Sequence, residues 1–219
     1  MTTYYKAVRP NGNSFHDPSF AWATEPGGVT RHPTHGKTGN TSTAAGYLSV
    51  STTPTDCTGM HWPCRLLEVE PVGDVFAPNA TGLPNKCAAL EFRTVRELAA
   101  TVVFGPQGVQ VAVLIDRAGL LTSDEVDRLA AAWDAAWDAA WAAAWVAAGA
   151  AYRHAAWDAA WAAAGAAAWD ATRDAAGALI CRDLIGQTFT QAHYDTLTGP
   201  WRTVVGPIHP DDDALEEDK

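Results

Sequence analysis

Trp133-Asp134-Ala135-Ala136-Trp137-Asp138-Ala139-Ala140-Trp141-Ala142-Ala143-Ala144-Trp145 places one large aromatic every four residues on a background of alanine. The same spacing continues through Gly149, Arg153, Trp157, Trp161, Gly165, Trp169, Arg173 and Gly177, and the two slots that close each tetrad from 135 to 176 are alanine at 20 of 22 positions. Alanine is the strongest helix former and supplies 28 of the 49 residues from 130 to 178, so the stretch reads as helix. Each step of four advances about 40° around an α-helix, so four tryptophans sweep roughly 120° and twelve steps would wind right round. A stripe that winds round cannot be buried against one partner. The pattern therefore predicts a break where tryptophan gives way to Gly149. Two arms, 123–147 and 151–178, would then pair as an antiparallel helical hairpin with tryptophans in its core or at an interface. The alternative, one helix of about 80 Å, needs a partner chain over its far end.

Working outward, Thr122-Ser123-Asp124-Glu125 reads as a capping box that opens this helical region, with acidic residues in its first turn. Past the repeat, Ala178 to Ile185 reads as a last apolar turn or two ended by Gly186. Thr190 can cap a short helix through Leu197, closed by Gly199 and Pro200, with Trp201, Val204 and Val205 as a terminal anchor. Six acids among the final residues (Asp211, Asp212, Asp213, Glu216, Glu217, Asp218) read as a solvated tail.

Before Thr122 the texture is that of a loop-rich β protein. Candidate strands are Tyr4 to Val8, Tyr47 to Thr52, Arg65 to Val69, Ala89 to Thr94, Thr101 to Phe104 and Val109 to Ile115, separated by Pro, Gly, Asn and Thr clusters. Phe15 to Ala23 and Thr53 to Thr58 could each carry a helical turn. The expected fold class is α+β: a β-rich domain over 1–121, an Ala/Trp-repeat helical module over 122–208 and an acidic tail over 209–219.

At 219 residues and 47% apolar content the chain can bury a core, and its net charge of −10 lies wholly in the second half. Residues 1–121 carry nine Lys/Arg and nine Asp/Glu, whereas 122–219 carry six and sixteen. That acidic half would repel a phosphate backbone, which argues against non-specific nucleic-acid binding, while the neutral half could hold a small anion. Met1-Thr2-Thr3-Tyr4-Tyr5-Lys6 has no charged leader followed by an apolar run, so a cytoplasmic chain is expected. Asp134, Asp138, His154 and Asp158 interrupt the most apolar stretch, so no membrane span is expected.

Several chemistries find no support. No Gly-x-Gly-x-x-Gly opens a helix after a strand and no Gly-x-Ser-x-Gly elbow is present. His35-Gly36-Lys37-Thr38 imitates the end of a phosphate loop, but Arg31 stands where the first glycine belongs, so it reads as a polar loop. Cys57, His61 and Cys64, with Cys87, have zinc-like spacing without a second paired cluster, so ordinary thiols and loop residues are preferred over zinc. His32 and His35 make a weaker metal pair still.

What remains is a set of segments able to hold a dinucleotide and cleave a glycosidic bond. Tyr4-Tyr5-Lys6-Ala7-Val8-Arg9 offers a cation, Lys6 or Arg9, to a diphosphate or ribose. Gly46-Tyr47-Leu48-Ser49-Val50-Ser51-Thr52 offers an aromatic platform and hydroxyls. Leu67-Glu68-Val69-Glu70-Pro71-Val72-Gly73 and Leu90-Glu91-Phe92-Arg93 carry carboxylates able to stabilise an oxocarbenium-like state. At these residues the chain resembles a divergent member of the ADP-ribosyltransferase superfamily. The likeness is to the rifampin enzymes, in the Tyr-containing first strand, Tyr47, Val69-Glu70-Pro71-Val72-Gly73 and Asn85-Lys86. It also resembles a small phage and prophage domain that precedes repeat arrays, with Val95-Arg96-Glu97-Leu98 as a further shared point.

The resemblance spans residues 4 to about 104. It implies a split β-sheet holding NAD, with Tyr47 stacking on nicotinamide and Ser49 or Ser51 hydrogen-bonding nearby. Lys6, or Arg9 in a slipped register, takes the place of the family's first-strand cation. Pro78-Asn79-Ala80-Thr81 stands where the rifampin enzymes carry an aspartate, so Glu91 becomes the candidate catalytic acid, ahead of Glu70 and Glu68. A possible NAD-dependent ADP-ribosyltransferase-like protein of phage or actinobacterial origin follows, its helices serving assembly as a homo-oligomer or target docking. The alternative is a non-enzymatic binding protein that retains the fold.

Overall fold

Short β-branched and aromatic runs in the first half become strands because each has one apolar face to bury. The computed structural model describes residues 3–33, 46–57, 61–75, 85–136, 139–151, 169–187 and 189–212. The protein is α+β, and its chain divides into two compact units, Met1–Val103 and Phe104–Lys219. The first holds strands β1 (Tyr4–Val8), β2 (Val29–Arg31), β3 (Leu48–Ser51), β4 (Arg65–Pro71), β5 (Lys86–Ala89) and β6 (Glu91–Leu98). They form one antiparallel sheet in the order β2-β6-β4-β1-β3-β5.

Only Leu90 separates β5 from β6, yet the two strands stand toward opposite ends of that order. Residues 86–98 are thus one bent stretch: its first part pairs with β3 and its second with β4 and β2. The sheet curls so that its two parts rejoin at Leu90. On the other side β1 links them unequally, through five register pairs to β4 but a single one, Tyr5↔Ser51, to β3.

The curl encloses Tyr4, Val8, Leu48, Val50, Leu67, Val69, Ala89 and Phe92, and Trp22 completes this core from the loop between β1 and β2. Trp22 lies 6.2 Å from the Phe92 ring, and Phe20 meets it edge-on at 6.3 Å. Burying aromatics of this size contributes roughly 2–3 kcal/mol each. The loop is held over the sheet by the Thr30 hydroxyl, which accepts from the Ala23 amide at 2.9 Å, and by the Thr94 hydroxyl, which donates to the Ala23 carbonyl at 2.6 Å. Gly28 is required in this turn, since a Cβ there would stand 2.9 Å from both Ala23 Cβ and the Glu25 carbonyl.

Several expectations change here. Ala89 to Thr94 is two strands bent at Leu90, and β2 carries too few apolar residues to have been anticipated. Phe15 to Ala23 forms turns and one isolated bridge, Asn13↔Ala21, rather than helix. Thr101 to Phe104 is a 3-10 turn, Ala100–Phe104, and Val109 to Ile115 lies within helix α1 (Gly108–Ala118). α1 belongs to the second unit, so the units meet ahead of the composition change at Thr122.

The second unit continues with α2 (Ser123–Ala136), α3 (Ala139–Ala151), α4 (Trp169–Ile180) and α5 (Gln191–Val204). The capping box forms as read: the Glu125 carboxylate accepts from the Thr122 amide at 2.8 Å and the Thr122 hydroxyl accepts from the Glu125 amide at 3.3 Å. The expected break at Gly149 is absent, because α3 runs through it to Ala151. One glycine in a helix interior costs only about 1 kcal/mol against alanine, too little to end so alanine-rich a run. The rest of the expected second arm, 152–168, lies outside the described residues, as does Trp137.

α2 of the first arm contacts α4 of the second, and α5 packs on α2, α3 and α4 while α1 contacts α4, so the unit is more than the two arms alone. The expected short helix from Thr190 is longer than read. It is capped by reciprocal Thr190 and His193 bonds at 3.1 and 3.3 Å and passes through Pro200 to Val204, burying Tyr194, Leu197 and Trp201. Burial of the Trp201 side of the helix outweighs the hydrogen bond that Pro200 forgoes. The acidic end begins as structure: Asp212 is 1% exposed and accepts from the Tyr194 hydroxyl at 3.1 Å, while Asp211 pairs with Arg182 at 2.8 Å.

Three tryptophans of the repeat share one acceptor. Trp133 and Trp141 donate their indole N–H groups to Asp174 Oδ2 at 2.9 and 2.8 Å, and Trp145 donates to Oδ1 at 3.0 Å. Arg173 donates to the same Oδ1 at 3.2 Å and lays its guanidinium 4.9 Å from the Trp145 ring. The carboxylate is 1% exposed, and burial pushes its pKa up while the three indoles and Arg173 oppose that shift. Among the described residues no helix is long and apolar enough to cross a membrane.

Candidate functional site

Where β1 and β3 share only one register pair, a cleft of about 240 Å³ opens beside Lys6. β1 supplies Lys6, the segment entering β3 supplies Tyr47, Leu48 and Ser49, and the loop after β1 supplies Ser14, His16, Asp17, Phe20 and Trp22. His32 and Pro33, just past β2, complete the wall, and the His32 amide donates to the Leu90 carbonyl at the sheet's bend at 2.8 Å. Among the described residues, aromatic side chains line a cavity whose wall also carries one amine, two imidazoles and one carboxylate.

Lys6 Nζ donates to the Ser49 carbonyl at 3.2 Å and stands 5.0 Å from the centroid of the Trp22 ring, a cation–π distance. Burial lowers its pKa to about 8, helped by the positive charge of Lys86 and opposed by Cys57. His16 is held below the usual histidine value by burial and by the charges of Lys6 and Lys86. Burial pushes the Tyr47 phenol up. Asp17 sits at the rim, where the Ser19 hydroxyl and amide donate to it at 2.6 and 2.9 Å and hold it below the usual carboxylate range.

Of the residues singled out from sequence, Lys6, Tyr47 and Ser49 line this cleft. Arg9 is close by in the chain but engaged elsewhere: its Nε donates to the Ser14 carbonyl at 3.3 Å and its guanidinium lies over Phe15. Ser51 is buried, donating to the Asp56 carbonyl at 2.8 Å and accepting from Lys86 Nζ at 2.7 Å.

Glu91 does not line the cleft. It pairs with Arg31 at 3.2 Å, and the other two candidate acids pair likewise, Glu70 with Arg93 and Glu68 with Arg96, each at 2.8 Å. Register explains the placement. Phe92 and Val69 point into the core, so their neighbours Glu91 and Glu70 point to the opposite face, where three arginines answer three glutamates.

No protein-family model, curated protein or solved structure matches this chain. The reading of the site therefore rests on its geometry. Cys57 and Cys64 are buried, and burial pushes their thiols up, Cys64 to about 12. All four cysteines are free, and among the described residues no group of three or more His, Cys, Asp or Glu side chains gathers. His35-Gly36-Lys37-Thr38 and Pro78-Asn79-Ala80-Thr81 lie outside the described residues.

Trp22, Phe20, His16 and Asp17 carry no motif in the sequence, and His32 reads there only as half of a weak metal pair. The one available signal was Phe20-Ala21-Trp22, two aromatics in an otherwise polar loop, where burial is the default for such surface-costly groups.

Proposed function

We propose that the first unit is a binding domain for a small ligand that couples an aromatic ring to an anionic group. NAD, entering by its nicotinamide end, is the candidate, and the helical unit serves assembly or target docking in a cytoplasmic protein. The observation that carries this reading is the meeting of Lys6, Trp22 and Tyr47 in one cleft. A flat ring stacks or packs edge-on against those aromatics, and an attached phosphate or carboxylate answers the Lys6 charge. The cleft of about 240 Å³ falls below the roughly 300–1,000 Å³ common for drug-sized ligands, so it suits one ring and one charged group rather than a whole dinucleotide.

Binding without transfer is the version the geometry favours over ADP-ribosyl transfer. Glu91 is paired to Arg31 on the opposite face of the sheet, and Asp17 is the carboxylate at the cleft. Titrating the full chain with NAD while following tryptophan fluorescence, with nicotinamide release measured in parallel, tests both versions. Saturable quenching that weakens at least about tenfold in Lys6→Ala and Tyr47→Ala, without nicotinamide release, is the expected result. No saturable change up to millimolar NAD would refute the binding reading, and release that disappears in Glu91→Gln would replace it with the enzymatic one.

A further inference from the structure

The strongest unexplained feature is the company Lys6 keeps. Its amine touches a backbone carbonyl and an indole face, and among the described residues no carboxylate pairs with it. Lys86, the other described lysine, is tied to Ser51 Oγ, the Asp56 carbonyl also accepts from it, and it lines no part of this cleft. A lysine meant only to fix charge would gain from a carboxylate partner. Desolvation in the cavity wall favours the neutral amine, while the Trp22 face and the Ser49 carbonyl favour the ammonium, so Lys6 can present either form near neutral pH.

We propose that Lys6 captures small aromatic carbonyl compounds in this cleft as an imine. The inference rests on the reading of the cleft as an open, aromatic-lined ligand site, and adds covalent chemistry to it. The pKa of about 8 leaves an appreciable fraction of the amine neutral near pH 7.5, whereas an ordinary lysine is almost wholly protonated there. The Nζ lone pair attacks the carbonyl carbon, forming the C–N bond as the C=O π pair moves to oxygen. His16, also in the wall and biased toward its neutral form, can take the proton the nitrogen sheds. That proton goes to the alkoxide oxygen to give the carbinolamine; the second N–H proton then passes to its hydroxyl as the nitrogen lone pair forms the C=N bond, the C–O bond breaks and water leaves. One amine and one carbonyl give one imine and one water, with no change of oxidation state. Trp22, Phe20 and Tyr47 supply the ring contacts that select an aromatic carbonyl over an aliphatic one.

The sequence makes the test clean, because it contains just four lysines, Lys6, Lys37, Lys86 and Lys219. The full chain is incubated near pH 7.5 with pyridine-3-carboxaldehyde and cyanoborohydride, whose hydride reduces the C=N bond to a stable secondary amine, and the adducts are mapped by peptide mass spectrometry. Nicotinate, which has the ring and an anion but no reactive carbonyl, is titrated separately by tryptophan fluorescence and added as a competitor. Lys6 is expected to label at least about tenfold faster than any other lysine, because Lys86, whose amine burial also depresses, lines no part of the cleft that gathers the aldehyde, and nicotinate is expected to slow it. Labelling spread evenly over the lysines, or faster on Lys86, overturns the inference. So does Lys6 labelling that nicotinate leaves unchanged. Saturable nicotinate binding with unselective labelling sinks imine capture alone, whereas absence of both sinks the cleft reading with it.

Discussion

Replacing Asp174 with alanine should unfasten the helical unit, because three indole N–H groups and Arg173 share that one carboxylate. Trp141 is buried, so its orphaned donor costs about 1–3 kcal/mol. Trp133 and Trp145 are half-buried and can turn to water, at about 0.5–1 kcal/mol each. Arg173 keeps Asp170 at 3.1 Å and loses little. The relief of no longer burying a charge offsets part of this, leaving a net loss of about 3 kcal/mol. Asp174→Asn should cost about 2 kcal/mol, since its amide NH₂ must face at least one indole N–H. Urea unfolding of the full chain, followed by far-UV circular dichroism, reads the helical transition. At a slope of roughly 1–2 kcal/mol per M the alanine variant should unfold about 2 M earlier than the parent. A shift worth less than about 1 kcal/mol in Asp174→Ala would refute the view that this carboxylate organises the tryptophans.

Two further outcomes follow from the first unit. Lys6 has a folded pKa of about 8 against 10.5 for the ordinary group, so between those values the unfolded chain holds a proton that the folded chain has released. Stability from this residue should therefore rise with pH across that window, by up to about 3 kcal/mol. Subtracting the Lys6→Met profile from the parent profile in urea unfolding isolates it, and a flat difference would contradict the burial of the amine. Glu91→Gln should change NAD or nicotinate affinity less than about twofold and stability by less than about 1 kcal/mol, as expected for a surface ion pair. A large loss of ligand affinity in calorimetric titration would show that Glu91 reaches the ligand after all.

The helical half was legible because its cues are local. Thr122 and Glu125 lie three residues apart and the alanine-tryptophan tetrad repeats on one element, so neither needs knowledge of the rest of the chain. Asp174 as common acceptor was not legible, since it is one of several aspartates in the repeat and only packing selects it. Val109, Val111 and Val113 alternate as a strand would, yet 108–118 is helix. Val111, Ala112, Leu114 and Ile115 form the buried stripe of that helix, while Val109 and Val113 remain 59% and 53% exposed. There tertiary burial overrode β-branched preference. In the first unit, Lys6 and Ser49 lie on strands that the sequence announces, with Tyr47 just ahead of β3, and the three line one cleft. Glu91 lies away from that cleft because its neighbour Phe92 faces the core, and its partner Arg31 stands in β2, a three-residue strand with no pattern of its own. Trp22 was missed because loops carry no period.

The bend at Leu90 also dictates how the two units must come into being. Strand β1 waits for β4 and β3, and the sheet cannot close until residues through Leu98 have been synthesised, because its closing stretch holds the last of its strands in sequence. Pairings between such distant segments form slowly, whereas local helical contacts form fast. On a ribosome the amino-terminal unit, though first to emerge, is thus held open by its own topology, with its aromatic loop bare until the final strand arrives.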